Sequence, residues 1–114
     1  MSENVISVLG SNEKRGLSRY QFQKIDGVFL RASSNNILQS RTVDCDLEQG
    51  YVEIALAKSP QHPPVISFVA KKVGPRTTMY ELYMEGKGRV EKSALFERVF
   101  ERYDKEVEKM MGRR

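Results

Sequence analysis

A single cysteine, Cys45, leaves no possibility of an intramolecular disulfide and fits a reducing compartment. The only histidine, His62, lies between Gln61 and Pro63 with no nucleophile beside it, so a histidine-dependent catalytic pair is not indicated. No apolar run approaches the ~20 residues needed to cross a bilayer, and no membrane partner is expected. The opening stretch MSENVISVLGSN lacks a basic region followed by a long apolar one, so no signal peptide is expected and the location reads as cytoplasmic or nuclear. Glycine gives no phosphate loop: Gly74-Pro75-Arg76 and Gly86-Lys87-Gly88-Arg89 lack the strand–loop–helix setting and the terminal Lys-Ser/Thr. No enzyme class, resident metal or cofactor is indicated.

What remains is a chain of 114 residues, 39% hydrophobic and 30% charged, which suits one ordinary folded domain over 1–114. The formal net charge of +4 is unevenly placed. Residues 44–57 carry only Asp44, Asp46, Glu48 and Glu53, whereas 58–92 hold seven basic and three acidic side chains. That segmentation predicts one acidic strand beside basic loops, and a mild attraction to phosphate backbones.

The first third reads as short apolar pieces: Val5–Leu9, a polar turn over Ser11–Gly16, a half-buried strand over Leu17–Gln23 and strand-like Val28–Ala32. Asp26-Gly27 between the last two suggests a hairpin turn. From Arg41 the alternation is clean. Val43, Cys45 and Leu47 alternate with Asp44, Asp46 and Glu48, leaving one wet face and a buried, inert thiol. Gln49-Gly50 turns the chain into Tyr51–Lys58, with Val52, Ile54 and Leu56 opposite Tyr51, Glu53 and Ala55. Pro60, Pro63 and Pro64 end that strand because proline cannot donate to a ladder. Val65–Lys72 is apolar on both faces, which predicts a central position. Thr77–Met84 sets Tyr80, Leu82 and Met84 against Met79, Glu81 and Tyr83. Short connections make antiparallel neighbours the default.

Gly86-Lys87-Gly88 interrupts the sheet pattern, and a helix is expected from about Ser93, as its cap, to Met111. Leu95, Phe96, Val99, Phe100, Tyr103, Val107, Met110 and Met111 form one stripe at three-and-four spacing. The fold class is therefore α+β: an antiparallel β-meander of about four to six strands packed against one long C-terminal helix. The stripe either serves the core or extends to a homodimer through Phe96, Val99, Phe100, Tyr103, Val107 and Met110.

Basic loops and aromatics opposite the apolar face fit a non-enzymatic partner of single-stranded DNA or RNA. Lys14, Arg15, Lys71, Lys72, Arg76, Lys87 and Arg89 are the phosphate-contact candidates, and Tyr51 and Tyr83 the stacking candidates. Lys87, Arg89 and Lys92 ahead of the helix also suggest an anion site beside its first amides. The acidic residues divide the working face, so the expected site is assembled from loops and rim. Two alternatives stand beside it. One is a protein-binding or assembly module using a strand edge or the helix. The other is a small metal-dependent nuclease on Asp44, Asp46, Glu48 and Glu53, with Lys58 or Lys71 completing the site. In outline, from Val28 to Met111, the element order is loosely similar to single-strand-binding cofactors of the transcription-coactivator and purine-rich-element types. The likeness is of architecture, without a shared motif.

Overall fold

The computed structural model describes residues 16–46 and 48–112. Ser18 opens the first described helix, α1 (Arg19–Ser34), with a capping box. The Ser18 hydroxyl accepts from the Gln21 amide at 3.1 Å, and the Gln21 side chain accepts from the Ser18 amide at 3.0 Å. Phe22, Ile25, Val28 and Ala32 then fall on one buried stripe. This corrects the two strands and hairpin turn expected over Leu17–Ala32. The two-residue spacing of Tyr20 and Phe22 suggested a strand, but Tyr20 is 65% exposed and only Phe22 belongs to the core. Gly27 sits inside the helix, where it costs about 1 kcal/mol relative to alanine, and burial of the stripe outweighs it. The expected features over Val5–Leu9 and Ser11–Arg15 lie outside the described residues, as does Leu47.

Five strands follow: β1 (Ser40–Asp46), β2 (Tyr51–Ala57), β3 (Ile66–Lys72), β4 (Thr78–Met84) and β5 (Gly88–Ser93). They form one antiparallel meander in the order β1-β2-β3-β4-β5, with β3 central as its apolar composition predicts. Gly50 takes φ 64° in the β1–β2 turn, where a side chain would be strained. Gly16, at φ 90°, packs so closely that an added Cβ would lie 3.1 Å from the Ala70 carbonyl oxygen and 3.2 Å from that of Gly50. The N-terminal approach to α1 is thereby held against the β1–β2 end of the sheet.

β5 was not legible as a strand because it carries a bulge. Leu82 pairs with Glu91 and Tyr83 with Arg89, so Val90 is an extra residue and the alternation breaks. The C-terminal helix α2 (Phe96–Met110) therefore begins later than expected. Leu95 is its N-cap, without a side-chain cap bond, while Ser93 Oγ accepts from the Leu95 amide at 3.0 Å.

Both helices cover one face of the sheet. Val52, Ile54, Leu56, Ile66, Phe68, Ala70, Tyr80 and Leu82 meet the stripes of α1 and α2 in one core. Phe68 is its hub, with ring centroids 5.6 Å from Phe96, 5.7 Å from Tyr103 and 6.5 Å from Tyr80. Such aromatic pairs add about 0.5–1.5 kcal/mol each beyond their area. The helices are joined by Tyr103, which donates to the Ile25 carbonyl at 2.8 Å, and by ion pairs Lys24–Glu97 and Arg31–Asp104 at the surface. No helix among the described residues is long and apolar enough to cross a membrane.

Candidate functional site

Among the described residues no helix packs on the opposite face of the sheet, although its central residues Ala55, Ser67, Val69 and Glu81 are at most 9% exposed. Its side chains follow from strand parity. Three rows cross the strands. One runs Asp46–Tyr51–Lys71–Met79, the next Asp44–Glu53–Val69–Glu81–Lys92, and the third Thr42–Ala55–Ser67–Tyr83–Arg89. Glu53 and Glu81 thus flank Val69 two strand spacings apart, roughly 10 Å between Cα atoms. Tyr51 lies one row to one side of them and Tyr83 one row to the other.

Each tyrosine is tied to the glutamate two residues away on its own strand. Tyr51 donates to Glu53 at 2.9 Å, and Tyr83 donates to Glu81 at 2.7 Å. A hydroxyl held one residue pair along the strand makes the ring lean along the sheet instead of standing off it. Burial and then the Glu53 bond push the Tyr51 phenol up to about 12. The Glu81 bond and then burial raise the Tyr83 phenol. Both hydroxyls therefore stay protonated as donors at neutral pH.

Glu81 is the hub of this face. It is 1% exposed, yet its Oε2 lies 3.4 Å from Lys71 Nζ and 3.4 Å from Arg89 Nη1. Burial alone would raise its carboxyl. The Tyr83 bond with Lys71 and Arg89 outweighs this and holds the group below the usual glutamate range. Lys71 and Arg89 remain about half-exposed, so both present further donors to solvent.

The structure brings together Tyr51, Tyr83, Lys71 and Arg89 from the expected set and separates the others. Lys72 donates to the Pro75 carbonyl at 3.3 Å in the β3–β4 turn, which also carries exposed Arg76. Exposed Lys87 lies in the β4–β5 turn, at the other end of β4 and roughly 20 Å away along the strand. The basic loops among the described residues therefore do not converge into a rim. Lys14 and Arg15 lie outside the described residues. The residues expected to form an anion site at the start of the last helix belong to the sheet instead: Lys87 lies in the β4–β5 turn, and Arg89 and Lys92 lie in β5, paired with Tyr83 and Glu81. Glu81 and the tyrosine–glutamate bonds were missed by sequence reasoning. Their signal was available, since Tyr51 and Glu53, like Glu81 and Tyr83, share strand parity.

Other candidates sort differently. Phe96, Val99, Tyr103 and Val107 are at most 7% exposed within the single chain, while Phe100 and Met110 are half-buried. The first four have no surface left for a second copy. Asp44 pairs with Glu53 across β1 and β2, but among the described residues no group of three His, Cys, Asp or Glu could hold a metal ion. His62 is exposed with Nδ1 2.6 Å from Ser59 Oγ, a contact within one turn. Cys45 is half-buried, and burial followed by Asp44 raises its thiol, which opposes reactivity.

Comparison with family models, with curated proteins and with solved structures finds no match for this chain.

Proposed function

We propose that the protein binds single-stranded nucleic acid, DNA or RNA, on its open sheet face, as a binding protein and not a nuclease. The observation that supports this is the pairing of Tyr51 and Tyr83 with Glu53 and Glu81 on either side of Val69, with Lys71 and Arg89 meeting at Glu81. Rings held along a sheet offer π-faces to unstacked bases, each contact contributing about 1–3 kcal/mol.

Charge sets the direction. Lys71, Arg89 and Lys92 lie toward β3–β5, whereas Asp44, Asp46 and Glu53 lie toward β1 and β2. The phosphate backbone runs along the β4–β5 side, and bases point across Val69 toward Glu53 and Asp44. Carboxylates accept from exocyclic amino groups, so bases carrying one are preferred to thymine or uracil. Titration of labelled cytosine and thymine oligonucleotides at two salt concentrations tests this. Binding that favours cytosine and weakens with salt supports it; no binding at low salt overturns it.

A further inference from the structure

A separate feature is the unequal treatment of the two sheet edges. β5 is short and bulged, carries Arg89 and Lys92, and has its Val90 carbonyl occupied by Arg102 Nη1 at 3.2 Å. These are devices that blunt an edge against further pairing. β1 shares only one such device, the inward-facing charge of Arg41, which is paired with Asp26 of α1. It pairs with β2 in unbroken register from Ser40 to Asp46, contains no proline or lysine, and has no bulge. Among the described residues no backbone hydrogen bond leaves its outer side.

The side chains along this edge are sorted by face. Toward the helices, Val43 and Cys45 are half-buried and Phe29 of α1 lies above Arg41, its ring centroid 6.0 Å from the guanidinium carbon. Toward the open face, Thr42, Asp44 and Asp46 are exposed, and Glu53 stands behind Asp44. No cation among the described residues forms an ion pair with Asp44 or Asp46; Asp46 accepts only from the Gln49 amide.

We propose that β1 is a docking edge for an extended basic segment of a partner protein, which adds to the sheet as a further strand. Main-chain bonds supply the affinity, and the alternation supplies the specificity. Every second side chain of the segment is apolar and lies beside Val43, Cys45 and Phe29. The intervening ones are lysine or arginine and lie beside Asp44 and Asp46. A second copy of this chain is disfavoured as occupant: full antiparallel overlap of β1 with itself sets Asp44 opposite Thr42 and Asp46 opposite Ser40, with the two Asp44 side chains diagonal to each other and no cation supplied to any of them. This inference does not rest on nucleic-acid binding: Asp44 is shared with the proposed base contacts, but the β1 edge is read by main-chain pairing and tested without nucleic acid.

The test uses a blocked peptide of alternating lysine and valine matched in length to β1, with a glutamate–valine peptide and a proline-interrupted lysine peptide as controls. The readout is amide hydrogen exchange, resolved by residue, in the whole protein. The basic peptide is expected to slow exchange at the outward-facing β1 amides by roughly tenfold or more, and the controls to leave it unchanged. An Asp44→Lys/Asp46→Lys variant, altered only at exposed positions, is expected to reverse the preference to the glutamate peptide. Unchanged β1 exchange with the basic peptide overturns the proposal, as does equal protection in that variant. Protection that grows with protein concentration alone assigns the edge to a second copy and also overturns it.

Discussion

Tyr83 donates its hydroxyl proton to Glu81 at 2.7 Å, from two residues along the same strand and on the same open face. The contact helps to satisfy a carboxylate that is almost fully buried on the sheet face opposite the described helices. Glu81 is satisfied by its neighbours: a phenol, Lys71 and Arg89. Tyr51 and Glu53 repeat the bond across Val69 in the reverse chain order. The face is thus locally ordered in the single chain, and on the proposed function that order would reduce the entropy lost on binding.

Glu81→Ala removes the common partner of three groups. It is expected to destabilise the fold by about 1–3 kcal/mol, the lower part of the range for a broken buried network because Lys71 and Arg89 are half-exposed. Denaturant midpoints with an unchanged slope check this.

Acid should expose the same group. Its folded carboxyl titrates below the ordinary 4.5, so its stabilisation is complete above that pH and is lost as pH falls through the folded value. The stability difference between the wild type and Glu81→Gln is therefore expected to be constant near neutrality and to shrink below about pH 4.5. A difference that persists unchanged into strong acid contradicts the assignment.

The Tyr51 phenol behaves with the opposite sign. Raised from 10 to about 12, its contribution is present below pH 10 and is lost as pH climbs toward 12. Its ring Cζ resonance is expected to titrate near the upper value, and Glu53→Gln to bring the midpoint down.

Tyr103→Phe keeps the ring beside Phe68 and deletes the bond to Ile25. A loss of about 1 kcal/mol is expected, because the Ile25 carbonyl lies inside α1 and still accepts a helical backbone N–H. Thermal or denaturant unfolding measures it. A change below a few tenths of a kcal/mol would show that this link between the helices carries no weight.

The meander was legible because strand parity is simple: Val52, Ile54 and Leu56 enter the core and Tyr51 and Glu53 do not. The same parity placed Tyr83 correctly on the open face. α1 was misread where two signals competed. Asp26-Gly27 resembles a turn and Tyr20 and Phe22 resemble a strand, yet the Ser18–Gln21 capping box and the stripe from Phe22 to Ala32 decide the outcome. β5 was hidden because a bulge erases alternation within six residues. The candidate site was half legible. Residue types and faces were readable, but the burial of Glu81 and the separation of Arg76 from Lys87 depend on strand order and turn position. Charge counts carry neither.

The central claim is tested most directly by anisotropy titration of a labelled cytosine oligonucleotide with the wild type, Tyr51→Ala and Tyr83→Ala, each checked for folding by circular dichroism. The wild type is expected to bind at low salt, and each variant to bind roughly 5- to 150-fold more weakly, the equivalent of about 1–3 kcal/mol of lost stacking. Absence of wild-type binding at low salt, or folded variants that bind as tightly as the wild type, would contradict the account.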